Sequence, residues 1–302
     1  MNEQATATKC GFVAIVGATN AGKSTLVNQA IGTKISIVTH KVQTTRSRVL
    51  GVMIEDNAQI VLVDTPGIFD PRRRLDRAMI QAAWQGAADA DVVALIVDAK
   101  RGATEDVLGI IEKLADIKAP KLLVLNKIDL LERSLLLDLT AKLNASGIFQ
   151  ETLMVSALKG DGVRDLVNHF VRHMPDSPWL FPEDQLTDMP NRLLAAEITR
   201  EKAFLRLHQE LPYSLTVETD TWEERKDGSV KIDQTIFVTR DGHKGIVIGK
   251  SGATLKAIGA ESRAELEEIL GHRVHLFLFV KVRERWLEDP ERFRNIGIEF
   301  NS

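Results

Sequence analysis

At 302 residues the chain is long enough for two domains of ordinary size. Its 44% hydrophobic and 27% charged content is that of a water-soluble globular protein, and a single cysteine, Cys10, rules out an internal disulfide and suits a reducing cytosol. A net charge of −3 excludes a generally basic nucleic-acid binder, so an RNA site must be a local patch or act through shape and base contacts.

The N-terminal stretch MNEQATATK lacks the apolar core of a signal peptide. No apolar run approaches the roughly 20 residues that span a bilayer. A cytoplasmic protein is expected, while peripheral contact with the inner membrane needs no such run and stays open. From Gly11 to Arg172 apolar strands alternate with helical stretches. The strands are Phe12–Val16, Gln59–Val63, Val92–Val97, Lys121–Leu125 and Thr152–Val155, with helical patterns at Thr25–Ile31 and Thr104–Leu114. Near-continuous Val/Ile/Leu runs belong to strands buried on both faces, so the first 173 residues form an α/β domain with an open, mostly parallel sheet and helices on both faces. Residues 174–188, MPDSPWLFPEDQLTD, are proline-rich and without period, and read as a linker. In residues 189–302 a helix, Arg192–Glu210, precedes strands near Ser214–Glu223 and Ser229–Thr239. A glycine-rich turn, a helical region Ala253–Leu270 interrupted near Gly259, and a strand Val274–Val282 follow. That is a smaller α+β domain of α-β-β-α-α-β order.

The chemistry is concentrated in the loops. Gly17-Ala18-Thr19-Asn20-Ala21-Gly22-Lys23-Ser24 matches G-x-x-x-x-G-K-S/T between a strand and a helix, the context of a phosphate-binding loop. The backbone N–H groups and the helix N-terminus receive phosphate oxygens, and Thr25 continues that helix. Lys23 reaches the β- and γ-phosphates, and the Ser24 hydroxyl suits Mg²⁺. Asn126-Lys127-Ile128-Asp129 leaves a strand's carboxyl end, where ligands of open α/β sheets bind. The Asp129 carboxylate can accept from the N1–H and 2-amino group of guanine, a pair adenine does not offer. Asn126 and Lys127 support that loop, and Ser156-Ala157-Leu158 suits an N–H approaching the guanine O6. Asp64-Thr65-Pro66-Gly67 places an acid near a Mg²⁺ water and the Gly67 N–H near the γ-phosphate. In the polar stretch THKVQTTRSR, Thr45 is the preferred Mg²⁺ ligand and Thr44 the alternate; spacing does not separate them. Arg72-Arg73-Arg74 is either a contact for a partner or a solvated run. Trp84, Trp179, Trp222 and Trp286 read as packing residues.

These motifs, taken in order with TPG and TTR, resemble translation-factor-related GTPases, above all the bacterial Era family, over Gly11 to Val282. The resemblance implies a P-loop GTPase domain followed by a type II KH domain. It implies a monomeric, Mg²⁺-dependent switch between GTP and GDP that binds the single-stranded 3′ end of small-subunit (16S) ribosomal RNA and assists assembly of that subunit. Ile68 stands where Ras-type GTPases carry a water-orienting glutamine, so turnover is expected to be slow and raised by a partner or by K⁺. Asn20 either binds that K⁺ or stabilises its own turn. The expected catalytic set is Lys23, Thr45, Gly67 and Asn20. A binding module with negligible hydrolysis is the second reading, and Ile68 is its reason. A P-loop kinase or ATPase is disfavoured by Asn126–Asp129.

In the second domain, Gly249-Lys250-Ser251-Gly252 has the GXXG form whose backbone clamps about four nucleotides. Lys244, Lys250 and Lys256 gather positive charge beside it, and Lys281, Arg283 and Arg285 extend a second basic run. Ile246 and Ile248, with Leu255 and Ile258, are expected to floor a groove for unstacked bases. Arg200-Glu201-Lys202 and LPYSLTVE at 211–218 also resemble the family's second domain, while Ser251 replaces a frequent glycine.

Overall fold

The computed structural model describes residues 7–41, 44–46, 48–71, 74–208 and 211–284. Arg72, Arg73, Arg285, Trp286 and the end of the expected helix Arg192–Glu210 lie outside them, as does the Arg74 side chain. The described residues fall into two compact units: one contains those up to Ser36 together with residues 45–188, the other residues 37–44 together with residues 189–284.

The first unit runs β1 (Lys9–Val16), α1 (Lys23–Ile31), β2 (Val49–Glu55), β3 (Ala58–Asp64), α2 (Arg74–Ala88), β4 (Val92–Asp98), α3 (Glu105–Leu114), β5 (Lys121–Asn126), α4 (Arg133–Asn144), β6 (Glu151–Val155) and α5 (Val163–His173). Its sheet has the order β2-β3-β1-β4-β5-β6, parallel except for β2, which pairs antiparallel with β3. Every residue of β3 and β5 is buried, which explains their unbroken apolar runs. Ala14, Leu95 and Leu123 pack with α2, α3 and α4 through Ala83, Ile110 and Leu143. The Thr104 hydroxyl accepts the Val107 N–H and starts α3. Strand order reverses at β1, between β3 and β4, so the loop after β1 opens at the crevice where such sheets bind ligands.

The aperiodic stretch 174–188 is ordered, bonded to the Gln59 side chain of β3 and to the outer edge of β2. Gln59, fully buried, accepts the N–H groups of Leu180 and Phe181 at 2.8 and 3.0 Å and donates to the Phe181 carbonyl at 2.7 Å. The Val52 N–H donates to the Leu186 carbonyl, the Leu50 N–H to the Asp188 carboxylate, and the Thr187 hydroxyl to the Leu50 carbonyl. Trp179 and Phe181 pack on Cys10, Leu50, Val61 and Val63. Proline and turn residues hide such packing, because its anchors are single side chains rather than a repeat.

The second unit contains α6 (Asn191–Arg206), β7 (Leu215–Glu224), β8 (Val230–Val238), α7 (Asp241–Ile248), α8 (Ala253–Leu270) and β9 (Val274–Val282). Its sheet has the order β7-β8-β9, antiparallel then parallel. Phe204, Leu215, Ile236, Val247 and Ile258 share one buried cluster, drawing on helices and sheet alike. Two expectations are corrected. The glycine-rich turn does not follow the strands directly: residues 241–248 form a helix before it. Gly242 and Gly245 disguise that helix, each costing roughly 1 kcal/mol against alanine, and burial of His243 and Val247 overrides the cost. Conversely, α8 runs unbroken through Gly259.

Gln59→Leu is expected to lower stability by about 1–2 kcal/mol, because it removes the acceptor of the Leu180 and Phe181 N–H groups and the donor to the Phe181 carbonyl. Chemical denaturation measures the loss, and protease cleavage within 174–188 should rise in parallel.

Candidate functional site: a nucleotide pocket and a glycine loop

The turn from β1 into α1 wraps on itself. Gly22 caps α1 in the left-handed region (φ 93°), and a Cβ there would stand 2.3 Å from the Asn126 amide nitrogen, so only glycine allows the approach. Asn20 is also left-handed, at φ 63°. Lys23, buried, donates to the carbonyls of Gly17 and Ala18 at 3.0 and 2.9 Å. Burial pushes its ammonium down to about 8, against the opposing pull of Asp64.

Ser24, Thr45 and Asp64 converge from α1, the loop before β2 and the end of β3. The Ser24 hydroxyl lies 2.7 Å from Asp64 Oδ2 and 2.9 Å from the Thr45 hydroxyl, which is itself 3.5 Å from Oδ2. Burial raises the Asp64 carboxyl above its ordinary range, opposed by the Ser24 hydrogen bond and by Lys23. Asp64 Oδ1 is buried without a hydrogen-bond partner. Two hydroxyls on a carboxylate with one lone oxygen are hard oxygen donors that fit Mg²⁺ and its waters. The Thr44 hydroxyl is spent elsewhere, at 2.6 Å from the Thr39 hydroxyl and 2.8 Å from the Lys41 carbonyl. Thr65, buried, donates to the Ile15 carbonyl at 2.8 Å, and Pro66 is buried beside it. The Ile68 N–H donates to the Gly17 carbonyl at 3.1 Å, which seats Gly67 against the phosphate loop, while the Ile68 side chain sits in the core.

A cavity of about 190 Å³ is lined by Gly22, Thr25, Asn126, Lys127, Asp129, Leu130 and Ser156–Leu158. The buried Asn126 amide donates to the Ala21 carbonyl and accepts the N–H groups of Lys127 and Ala157, at 2.8, 2.8 and 3.0 Å. The Ser156 hydroxyl donates to Asp129 at 2.8 Å and holds its carboxyl below the usual range, so the acceptor is charged at neutral pH. Lys127 bridges the Asn20 carbonyl and the Asp98 carboxylate at 2.7 Å each. Asp98 was missing from the sequence expectations. Its signal was position: it ends β4 in register with Asn126, at the same sheet end.

In the second unit, Gly249–Gly252 is a single turn joining α7 to α8, with Ser251 left-handed at φ 51°. A Cβ on Gly249 would meet the Thr254 hydroxyl at 2.2 Å. Lys250, Ser251 and Lys256 are exposed, Ile246 is 57% exposed, and Lys244 and Ile248 are half-buried. Ile258 is corrected: it is fully buried in the core, and Leu255 packs against the same cluster, so neither is free to floor a groove.

The fold and the first site define a P-loop GTPase, here followed by a KH domain. The family of 50S ribosome-binding GTPases matches residues 12–127, and the KH domain family matches residues 210–287. The GTPase Era of Afipia carboxidovorans is 59% identical over 298 residues, covering 99% of this chain and 97% of its own. That of Brucella suis is 58% identical over 297 residues, covering 98% and 96%. A crystal structure of Era with MgGDPNP and nucleotides 1506–1542 of 16S ribosomal RNA superposes with a TM-score of 0.91 at 41% identity, covering 96% of this chain and 99% of that one. An Aquifex aeolicus Era variant bound to GDP·AlF4⁻ superposes with the same TM-score, identity and coverage. The chain belongs to the Era family of GTPases. Membership decides for a hydrolase over a module with negligible turnover. Among the described residues no helix is long and apolar enough to cross a membrane.

The Lys23 ammonium, pushed down to about 8 by burial, is the group expected to meet a triphosphate. GTP affinity is therefore expected to be flat below that pH and to fall by up to about tenfold per pH unit above it. Calorimetry in two buffers of different ionisation heat should show proton uptake on binding above pH 8 and little at pH 7.

Proposed function

We propose that this GTPase uses its nucleotide state to control its hold on the 3′ end of small-subunit ribosomal RNA, and so assists assembly of that subunit. The observation that carries the nucleotide half is the convergence of Ser24, Thr45 and Asp64 beside a buried Lys23. Support for the RNA half comes from the GXXG turn, and from the relative of known structure that holds MgGDPNP and that RNA together.

Each residue has a task in this reading. Asp129 accepts from the guanine edge, while Lys127 and Asn126 hold the ring's floor against the phosphate loop. The N–H groups of Asn20–Thr25 and the Lys23 ammonium receive the β- and γ-phosphates. Ser24, Thr45 and Asp64, the last through water, would hold Mg²⁺, which neutralises charge on the phosphate oxygens. Thr65 and Pro66 shape the turn that aims the Gly67 N–H at the γ-phosphate. Because the Ile68 side chain is packed in the core and carries no polar atom, no residue there orients the attacking water. Hydrolysis by the chain alone is accordingly slow. Asn20 would hold a K⁺ that would supply the missing positive charge, with Lys23, Thr45, Gly67 and Asn20 acting on the transferred phosphate. Turnover in K⁺ should exceed turnover in Na⁺ by about tenfold or more if the cation stands at the transition-state charge; equal rates exclude the cation.

The RNA backbone lies against Gly249–Gly252 with Lys244, Lys250 and Lys256 around it, and Ile246 and Ile248 offer apolar contact to bases. The chain works as a monomer in the cytoplasm, a location that suits its one buried, reduced cysteine. Gly252→Asp tests the RNA half. A side chain there meets nothing within 4 Å, but Gly252 is left-handed at φ 77°, so the aspartate is strained and thermal unfolding of the variant must show the fold retained; its carboxylate then opposes phosphate. Affinity for a 3′-end 16S oligonucleotide should fall by roughly tenfold or more with GTP affinity unchanged; full RNA affinity would overturn the assignment.

A further inference from the structure

Asp98 ends β4 and Arg101 lies in the turn after it, and neither has a task in the reading above. We propose that both are positioning residues for the Asn20 N–H: they hold the carbonyls of Thr19 and Asn20 from outside the phosphate loop, and so aim that N–H at the phosphates of GTP. The inference rests on the proposed role of the Asn20–Thr25 N–H groups as phosphate donors.

Residues 18–21 form a turn of their own. The Ala21 N–H closes it with a long bond of 3.4 Å to the Ala18 carbonyl, and Asn20, its third residue, is left-handed at φ 63°. That is the pattern of a type II turn, which favours glycine or asparagine at the third place. The plane between its two central residues carries the Thr19 carbonyl on one side and the Asn20 N–H on the other, because a trans peptide points them in opposite directions. Arg101 Nη1 donates to that carbonyl at 3.3 Å. The Asn20 carbonyl, in the next plane, accepts the Lys127 ammonium at 2.7 Å. Asp98 governs both donors. Its Oδ2 takes the same ammonium at 2.7 Å, and its Oδ1 accepts the N–H groups of Lys100 and Arg101 at 3.0 and 3.4 Å. Its own carbonyl accepts the N–H groups of Arg101 and Gly102 at 3.1 and 3.0 Å, so the turn that carries Arg101 is folded around Asp98.

A type II turn becomes a type I turn when its central plane rotates by about half a turn, with little movement of the residues on either side. That rotation would put the Thr19 carbonyl on the phosphate side in place of the Asn20 N–H, and an oxygen there repels phosphate. Asparagine adopts both conformations, so the residue type at position 20 does not decide the plane by itself. Arg101 decides it, because a guanidinium on the Thr19 carbonyl is a charge-assisted bond made in only one of the two arrangements. Gly67 closes the other flank: a Cβ there would stand 2.8 Å from Thr19 Cγ2 and 3.0 Å from its Cα. Since Arg101 is exposed, its bond adds little to stability, and what it contributes is orientation. In phosphoryl transfer charge builds on the departing oxygen, so a donor already aimed at the phosphates counts for more in the transition state than in the bound ground state.

The test uses the full chain with Arg101→Ala, Arg101→Lys and Asp98→Asn, the last of which keeps an acceptor for the turn and loses the charge beside Lys127. GTP hydrolysis, Kd for GDP and thermal unfolding are measured for each, and the Asn20 amide is followed by NMR in the ¹⁵N-asparagine-labelled, GDP-bound chain. Arg101→Ala and Asp98→Asn are each expected to lower kcat by about tenfold, with KM for GTP and Kd for GDP within about threefold, and to move the Asn20 amide resonance. Arg101→Lys still offers a charged donor to the carbonyl, so it should recover most of the rate and bring the resonance back towards its wild-type position. Wild-type kcat in Arg101→Ala or in Asp98→Asn overturns the inference, as does a melting temperature or GDP affinity that falls in step with kcat, which marks a merely structural effect. An Arg101→Lys chain as slow as Arg101→Ala overturns it too. Should Asp98→Asn fail to fold, the two Arg101 variants decide alone. A wild-type chain that binds no GTP sinks the phosphate-loop reading itself, a result distinct from variants that match an active wild type.

Discussion

The Asn126 side chain is the constraint on which the nucleotide site depends. Its amide, 1% exposed, bonds the backbone of the phosphate loop, the turn that carries Asp129, and the loop after β6. A buried amide that donates once and accepts twice is worth more than its bonds counted singly, because losing it strands partners in three loops. The close approach is possible only because Gly22 lacks a Cβ. Thus a glycine chosen for phosphate geometry also sets the distance between phosphate pocket and base pocket. Lys127 adds a second tie, from the Asn20 carbonyl to Asp98. The loops proposed to bind base and phosphates are thus tied directly to one another.

The switch side is built differently. Thr45 meets Ser24 and Asp64 through hydroxyl contacts on a carboxylate whose other oxygen is unpartnered. Such an arrangement is completed by a cation and is loose without one. Ile68 belongs to the same economy of parts: its N–H positions Gly67 against the phosphate loop, while its side chain contributes to the core and nothing to the attacking water.

What was legible in the sequence follows from locality. The phosphate loop, Asn126–Asp129 and Asp64–Gly67 each need particular residue types within a few positions, so spacing alone names them. The strands β1, β3, β4 and β5 announce themselves because burial on both faces demands continuous apolar runs. The helix α7 was unreadable because its two glycines argue against helix locally and only contacts of His243 and Val247 outweigh them. Ile258 was misplaced because an apolar residue near a glycine loop can face a groove or the core, and periodicity does not say which. Spacing left Thr45 and Thr44 as alternatives; what it could not show is that the Thr44 hydroxyl is bonded within its own turn while Thr45 lies against Ser24 and Asp64. Asp98 pairs with Lys127 across 29 positions of sequence, which no short window contains.

The stretch 174–188 has a consequence for solubility. An outer strand such as β2 presents unpaired N–H and C=O groups, a template on which another chain can add a strand. Here Leu186, Thr187 and Asp188 occupy those groups at Leu50 and Val52. The covering chain cannot itself propagate a sheet, because prolines interrupt it upstream and Pro190 follows it. The connection between the two units thus doubles as a stopper against strand-by-strand self-association, and a chain cut before it would bare an adhesive edge.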